Sequence, residues 1–336
     1  MKTRTAAVFY ALITMYLLGS RGAGSLLLPP CRASFFEMAL KQDSLYTPGE
    51  MNLSVRLTDK AKIHGAYRVK VSIYIAGTLV RRQALRVTKK KPAVFELIFP
   101  EVHNRTEVRC RAELFLNGEF VEAMEKPLTL WPAISPYLRE FTDKVIWAFD
   151  TSGKLQQLFG DLQVRVTDAT FQAARDFGTP NIVFIGQFTD LPNMQVIIHR
   201  LMLVDTKPII IFLRQERLLE DAKIEIPKEN NHPQNVLCDV NAPLLNGLSK
   251  RDIMNMVDHT MYVKLKKVKG RSIDSCVTEV MEDKKSIYSY LCVVKEKGQV
   301  TIYCQLPVID GNDPRFHILF KNLLKFATTI SNCKKN

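Results

Sequence analysis

Between residues 34 and 131, short runs of alternating polar and apolar residues follow one another with turn signals between them. The runs span 34–40, 52–57, 67–75, 78–87, 93–99, 107–116 and 120–130. Alternation puts successive side chains on opposite faces of a strand, and Asn117-Gly118 between the last two runs suits a tight hairpin turn. Helical spacing is absent from this region. The pattern predicts a β-sandwich of roughly seven or eight short strands.

Beyond residue 140 the pattern changes to continuous apolar runs separated by amphipathic segments. The apolar runs span 144–149, 181–185 and 208–213, and segments with helical spacing span 154–159 and 194–204. Apolar runs of this kind are typical of parallel strands that helices bury on both faces. This part of the chain is therefore predicted to form an α/β domain.

The C-terminal part of the chain predicts a hairpin and a closing helix. Residues 286–294 and 299–306 alternate around Lys297-Gly298, which predicts an antiparallel pair. Apolar residues then recur every three or four positions, which predicts a helix over 314–328. Lysines interleave with apolar residues at 263–271. We interpret this basic stretch as an edge strand with a charged outer face, with a groove for an anionic glycan as the alternative.

Two segments flank the predicted domains. Pro132 and Pro136 suit neither a strand nor a helix interior and predict a linker at 132–140. Residues 1–24 are typical of a signal peptide, because two basic residues precede an apolar stretch at 6–18 and small residues follow it. That stretch is too short to span a bilayer comfortably. We expect a soluble mature protein, secreted or periplasmic, with an uncleaved anchor as the alternative.

The charge balance is strongly basic. The chain has 47 Lys and Arg against 34 Asp and Glu, a formal net charge of +13. Such a charge favours anionic partners, namely an acidic polysaccharide or other glycan, a membrane surface or nucleic acid. Zinc-finger spacing, RNA-binding aromatic motifs and a basic helix are absent, so no nucleic acid is expected. A protein partner, a second copy of the chain, and a basic surface without a dedicated ligand are also compatible with this charge.

Seven cysteines are scattered along the chain without CxxC spacing. Export would permit disulfides, but an odd number cannot all pair within one chain. A loop at residues 296–298 would place Cys304 opposite Tyr290, so that Cys292 and Cys304 would be diagonal neighbours, too far apart to bridge. We therefore expect mostly buried free thiols.

Three stretches of the second half carry a family resemblance. They are 144–150 (Lys-Val-Ile-Trp-Ala-Phe-Asp), 241–249 with Asp252 and Asn255, and 297–307 with 322–326. Together they resemble class I glutamine amidotransferase-like domains of the kind attached to bacterial glycoside hydrolases, and residues 34–131 resemble the β-sandwich that often precedes such domains. The resemblance implies a role near carbohydrate metabolism.

The nucleophile of that family is missing from the matching position. Active members carry a cysteine in a Gly-x-Cys-x-Gly turn after a central strand, where a His–Glu pair activates the thiol. Here the strand at 208–213 continues into Arg214-Gln215-Glu216. The resemblance therefore implies a catalytically degenerate domain. No catalytic residue, metal site or cofactor is predicted, because the six histidines lack metal-ligand spacing; Asp258-His259, in a polar stretch, is a poor acid–base candidate.

The predicted fold is thus a two-domain arrangement. An all-β immunoglobulin-like sandwich spans 25–131, after the signal peptide and before the linker. A flavodoxin-like or amidotransferase-like α/β domain spans 141–332, with a mostly parallel sheet and a C-terminal β-hairpin plus helix.

A candidate ligand site follows from the ends of the predicted parallel strands. The residues that come directly after the three apolar runs are Asp150, Thr151, Gly186, Gln187, Arg214 and Gln215. Ligands of open parallel sheets bind beyond the carboxyl ends of the strands. The guanidinium of Arg214 offers a planar fork of donors for carboxylates or vicinal hydroxyls. The alternative is an ion pair between Arg214 and Glu216 or Asp150, which requires no ligand.

Three functions are compatible with these observations. The first is a secreted, non-catalytic, carbohydrate-associated binding or assembly protein. The second is an enzyme that hydrolyses glycosidic bonds or an accessory subunit of a glycoside hydrolase of the β-galactosidase-like kind. The third is a structural envelope protein without a small ligand.

Overall fold

The computed structural model describes residues 34–61, 65–133, 141, 143–170, 179–187, 194–203, 206–215, 222–225, 236–258, 261–279, 286–308 and 313–333. The predicted signal peptide at 1–24 and residues 134–140 of the predicted linker lie outside these ranges. Among the described helices, none is both long and apolar enough to cross a membrane.

The N-terminal half of the described chain, residues 34–133, consists of strands. They are β1 (Phe36–Leu40), β2 (Ser44–Thr47), β3 (Gly49–Leu57), β4 (Tyr67–Ile75), β5 (Thr78–Val87), β6 (Ala93–Phe99), β7 (Thr106–Leu116) and β8 (Glu119–Pro132). A three-stranded sheet has the order β1-β3-β6, and a five-stranded sheet has the order β2-β8-β7-β4-β5. All neighbours are antiparallel except β2 and β8.

Every second side chain along these strands points inward, and these side chains form the core between the two sheets. Alternate residues of β6 are buried, and so are Val69 and Val71 of β4. Buried side chains of both sheets belong to one hydrophobic cluster. The strand-rich architecture agrees with the predicted β-sandwich.

The C-terminal half, residues 141–333, contains one ten-stranded sheet and four α-helices among the described residues. The strands are β9 (Ile146–Phe149), β10 (Thr167–Asp168), β11 (Ile182–Ile185), β12 (Ile209–Leu213), β13 (Ala222–Glu225), β14 (Val236–Cys238), β15 (Tyr262–Lys266), β16 (Arg271–Glu279), β17 (Ser286–Glu296) and β18 (Gln299–Cys304). The helices are α1 (Lys154–Asp161), α2 (Met194–Leu203), α3 (Lys250–Met256) and α4 (Pro314–Cys333).

This sheet is mixed, whereas the sequence predicted a mostly parallel one. Strands β10, β9, β11, β12 and β18 are adjacent and parallel. Strands β17, β15 and β13 continue the sheet in antiparallel pairing, and β14 and β16 pair antiparallel beside β17. The physical reason is that a parallel neighbour needs a long crossover, while β17 and β18 are joined by a two-residue turn that reverses the chain.

The apolar runs of the parallel strands are explained by burial on both faces. Ile146 and Ala148 of β9 belong to one hydrophobic cluster, together with residues of α1 and α4. Trp147 and Phe149 point the other way, into a second cluster with residues of α2. The predicted hairpin and closing helix are present as β17, β18 and α4.

Three local expectations need correction. Strand β8 continues to Pro132, which was predicted to be the first residue of the linker, and Trp131 packs into a core of the C-terminal half. Strand β15, predicted to be an edge, pairs with β13 on one side and β17 on the other. Cys304 lies opposite Leu291 and not Tyr290, because the hairpin turn contains two residues instead of three. The described cysteines are all free thiols, as expected.

Candidate functional site

The candidate site lies at the carboxyl ends of the adjacent parallel strands β9, β11 and β12. The chain leaves β9 through α1 toward β10 on one side, and leaves β11 through α2 toward β12 on the other. The strand order therefore reverses between β9 and β11. In open parallel sheets the crevice that takes a ligand forms at such a reversal.

Asp150, directly after β9, holds the start of α1. Its side chain is buried, and its Oδ2 accepts a hydrogen bond from the backbone N–H of Leu155 at 2.7 Å. Its Oδ1 accepts from the N–H and the hydroxyl of Ser152 at 3.0 and 2.8 Å. A carboxylate is favoured beside the N–H groups at a helix N-terminus. Three donors thus fix Asp150 in a structural position.

Gly186, directly after β11, permits the close approach of Asp150. Its N–H donates to the carbonyl of Phe149 at 2.7 Å. A Cβ atom at this position would lie 2.7 Å from Cβ of Asp150 and 2.8 Å from its Oδ1. Only a residue without a side chain fits here. The glycine at position 186 therefore allows the residues that follow β9 and β11 to lie in contact.

Gln215 joins the ends of three strands. It is buried, and its Nε2 donates to the carbonyls of Gly186 and Leu213. Its own carbonyl accepts from Nε2 of Gln305, which follows β18, at 3.1 Å. Gln305 is 2 % exposed, and its Oε1 has no hydrogen-bond partner among the described residues. A buried acceptor of this kind is rare in folded proteins, and Oε1 of Gln305 can still accept a hydrogen bond.

Arg214 has an unusual, left-handed backbone conformation. It adopts φ 46° directly after β12, and its N–H donates to the carbonyl of Cys304 at 2.7 Å. Left-handed backbone is uncommon for a residue with a long side chain. The guanidinium forms an ion pair with Asp258, and its side chain is 15 % exposed. Asp258 is a partner that the sequence did not predict. Of the two expected partners, Glu216 lies outside the described residues.

The remaining two predicted residues are more accessible. Thr151 is exposed and Gln187 is partly exposed. The structure thus brings all six predicted residues to one edge of the sheet and separates their roles. Asp150, Gly186 and Gln215 build the edge, while Thr151 is exposed and Gln187 and Arg214 are partly exposed.

The described residues near this edge offer no activated nucleophile. Burial raises the pKa of the Cys304 and Cys292 thiols to about 12, so both stay protonated near neutral pH. Among the described histidines, His317 lies in α4 and contacts Tyr46 in the N-terminal half. The described residues contain no group of three His, Cys, Asp or Glu that could hold a metal ion.

Sequence reasoning missed Gln305 and the pairing of Asp258 with Arg214, since Asp258 was considered only as an acid–base candidate with His259. Gln305 could have been found, because it follows β18 as Gln215 follows β12, but the predicted hairpin was not expected to join the parallel strands directly. Asp258 gave no such signal. It lies in an irregular segment after α3, where hydrophobic periodicity says nothing about which neighbour a side chain meets.

Comparisons with known proteins give no family. No family model matches the chain, and no curated protein matches it. Among solved structures, similarity extends to a complex of zinc α2-glycoprotein and prolactin-inducible protein from human seminal plasma, with a TM-score of 0.24 and 10% identity over 31% of this chain and 98% of that one. A CARDB domain from Pyrococcus furiosus gives 0.23 and 17% over 29% and 91%. A β-glucuronidase of Parabacteroides merdae gives 0.24 and 9% over 54% and 24%. These likenesses are too weak to support an argument about fold or function.

Proposed function

We propose that the protein is a secreted, non-catalytic, carbohydrate-associated binding or assembly protein. In this proposal the two halves are separate domains, and the C-terminal one is a degenerate amidotransferase-like domain that takes a glycan at the carboxyl edge of β9, β11 and β12. The observation that carries the proposal is the left-handed backbone of Arg214 at the end of β12.

A sharp turn directly after a central parallel strand lifts one side chain above the end of the sheet. In enzymes with such a turn that side chain is a nucleophile, whereas here it is a guanidinium. Backbone in this region costs on the order of 1–3 kcal/mol for a residue with a side chain, and such residues cluster at functional sites. A guanidinium cannot act as a nucleophile, but it binds carboxylates and hydroxyls with fixed geometry.

The groups around Arg214 are suited to a hydroxyl-rich ligand. Thr151 is exposed, and its hydroxyl can donate and accept hydrogen bonds, while Gln187 is partly exposed. Oε1 of Gln305 is a buried acceptor without a partner among the described residues. A sugar presents several hydroxyls in fixed directions, so a site with both donors and acceptors fits it better than an apolar ligand.

Hydrolysis of a glycosidic bond has less support. It needs two carboxyl groups that face each other across the sugar. Two described carboxylates at this edge are Asp150, which three donors hold, and Asp258, which Arg214 holds. Both are engaged in building the edge.

The test is a glycan array probed with the mature protein and with the Arg214→Ala variant. We expect binding of a defined set of glycans by the wild type, and a loss of about tenfold or more in affinity for that set in the variant. Binding that the well-folded variant retains unchanged would remove Arg214 from the site, and a wild-type protein that binds no glycan would argue against the function itself.

Asp258→Asn is the matched control, because it removes the charge of the partner but keeps the guanidinium. If Arg214 only stabilises the fold, both variants lower the melting temperature alike and neither changes glycan binding. If Arg214 binds the ligand, Asp258→Asn retains most of the affinity that Arg214→Ala loses.

A further inference from the structure

The outer face of the five-stranded sheet carries a concentration of basic side chains that the site above does not explain. Because alternate residues of β4 and β7 are buried in the sandwich core, the intervening ones point outward. The register of β4, β5 and β7 places six basic residues on this outer side, which we call the basic face: Arg68, Lys70, Arg82, Arg86, Arg109 and Arg111.

Acidic residues on the same side neutralise only part of this charge. Glu113 pairs with Lys70 and Arg111, and Glu125 pairs with Arg111. Glu107, near the start of β7, pairs with Arg105. Four arginines of the basic face have no carboxylate partner among the described residues: Arg68, Arg82, Arg86 and Arg109.

Two of these arginines oppose each other across neighbouring strands. Arg68 of β4 is the direct register partner of Arg86 of β5, and both are exposed. Like charges directly opposite on adjacent strands are destabilising. Nothing in the fold requires this pair, so the cost is explained if an anion lies between the two guanidinium groups.

The remaining arginines extend the positive charge along the sheet. Arg82 lies four residues from Arg86 on the same side of β5, about 13 Å along the strand. Its Nε donates to the hydroxyl of Ser72 at 3.4 Å, which lays the side chain over β4. Arg109 lies on β7 opposite Tyr74. The charge thus forms an extended strip and not a single point, which matches a polymer better than a small anion.

We propose that the basic face binds an extended acidic polysaccharide that bears sulfate or carboxylate groups. Arginine forks match the geometry of these oxyanions, and a linear polymer can reach Arg68, Arg82 and Arg86 together. This site is separate from the glycan site at Arg214 and does not depend on it.

The arrangement of aromatic rings argues against a single-stranded nucleic acid. Proteins that bind such strands stack successive bases on neighbouring aromatic side chains. Here the two outward aromatic residues of the central strands lie at opposite ends, Tyr74 beside Arg109 and Phe115 beside Arg68. Phe115 also packs edge-to-face against Phe120, with ring centroids 6.0 Å apart. The described surface between Tyr74 and Phe115 presents charged side chains but no row of aromatic rings on which bases could stack.

Fluorescence anisotropy with labelled dextran sulfate tests the proposal, and labelled neutral dextran is the ligand control. The variant is Arg68→Glu/Arg86→Glu, and the matched variant is Lys90→Glu/Lys91→Glu in the exposed β5–β6 turn, which changes the net charge equally. We expect the first to weaken binding by about tenfold or more and the second by less than about threefold. Equal losses would show a response to net charge alone and would overturn the site.

A second variant guards against a folding defect. Arg68→Gln/Arg86→Gln removes the like-charge pair, so its melting temperature should equal or exceed that of the wild type while dextran sulfate binding still falls. Unchanged binding in this variant would also overturn the proposal. If single-stranded DNA binds as tightly as dextran sulfate and is lost in the same variants, the partner class is wrong. Arg214→Ala should leave dextran sulfate binding intact, which separates this result from the test of the proposed function.

Discussion

At the scale of single residues, the contact between Gly186 and Asp150 determines the geometry of the candidate site. Asp150 must approach β11 closely to keep its three hydrogen bonds at the start of α1. A methyl group on residue 186 would lie 2.7 Å from Cβ of Asp150, well inside van der Waals contact. Neither residue can shift without loss, because the N–H of Gly186 is bonded to the carbonyl of Phe149 and three donors hold the carboxylate of Asp150.

We therefore expect Gly186→Ala to destabilise the protein by about 1–3 kcal/mol, the usual cost of overpacking a closed site. Urea unfolding measures this change. Gly160→Ala is the control, because Gly160 lies in α1 with nothing within 4 Å of an added Cβ. There the alanine should stabilise the helix by about 0.5–1 kcal/mol. Equal and small effects at both positions would contradict the crowding of Gly186.

The sequence predicted which residues lie together at this edge of the sheet, but it did not predict the contacts that they make there. Asp150, Gly186 and Gln215 could be placed together because each follows an apolar run, and parallel strands end at one edge. The hydrogen bonds that Gln215 makes with Gly186 and with Gln305 could not be foreseen. They join residues 29 and 90 positions apart, whose proximity the local sequence pattern does not indicate. Whether Thr151, Gln187 and Arg214 bind a ligand stays a prediction.

At the scale of elements, the β17–β18 hairpin shows how a turn decides register. Lys297 and Gly298 have φ 47° and 78°, so both central residues of the two-residue turn are left-handed. The same geometry occurs at Asn117 and Gly118, with φ 52° and 93°. Asparagine tolerates this backbone and lysine does so less readily.

We expect Lys297→Asn to stabilise the protein by a few tenths to about 1 kcal/mol, because it relieves the first turn position. The converse change, Asn117→Lys, should destabilise it. That change also removes the hydrogen bond from the N–H of Ala66 to Oδ1 of Asn117. Thermal unfolding followed by circular dichroism measures both. A loss of stability in Lys297→Asn would show that this turn does not control the hairpin.

The elements themselves were more predictable than their neighbours. Alternation located β4 through β8, and apolar runs located β9, β11 and β12, because each pattern reflects burial of that segment alone. Sheet order reflects contacts between distant segments, so the antiparallel addition of strands β13, β14, β15 and β16 was not foreseen. The register of Cys304 was wrong by one residue for a related reason, since turn length was inferred from glycine position without the φ of Lys297.

At the scale of the whole molecule, a polar interface joins the N-terminal half to α3 and α4. Arg315 of α4 donates to Asp43 at 2.7 and 3.2 Å and to the adjacent Asp313. Burial and these two carboxylates act in opposite directions on Arg315, and its pKa is raised. Nearby, the hydroxyl of Tyr46 lies 3.0 Å from Nδ1 of His317. Arg105 pairs with Asp252 of α3 at 2.9 Å.

Trp131 links the same two parts by packing. Its ring is buried in a core of the C-terminal half, while its Nε1 donates to the hydroxyl of Ser44 in β2 at 2.7 Å. The guanidinium of Arg105 lies 5.3 Å from the centroid of the ring. One side chain at the end of β8 therefore contacts both halves just before the predicted linker.

These contacts lead to a prediction about cleavage within residues 134–140. Each half has its own hydrophobic clusters, so we expect both fragments to keep their sheets after the cut. We also expect them to remain associated, because the contacts of Arg315 and Trp131 do not depend on an intact linker. A protease site inserted at 134–140, followed by size-exclusion chromatography and Trp fluorescence, measures both outcomes.

Arg315→Ala should weaken this association by about tenfold or more. The side chain of Arg315 is only 7% exposed, and its truncation removes the ion pair and both hydrogen bonds that it makes with the partly exposed carboxylate of Asp43. Lys321→Ala on the same helix is the control, since Lys321 forms no ion pair among the described residues and should have little effect. Fragments that aggregate or lose their secondary structure on cleavage would refute two independently folding halves. Fragments that separate at once in the wild type would refute the interface, because covalent linkage alone would then hold the halves together.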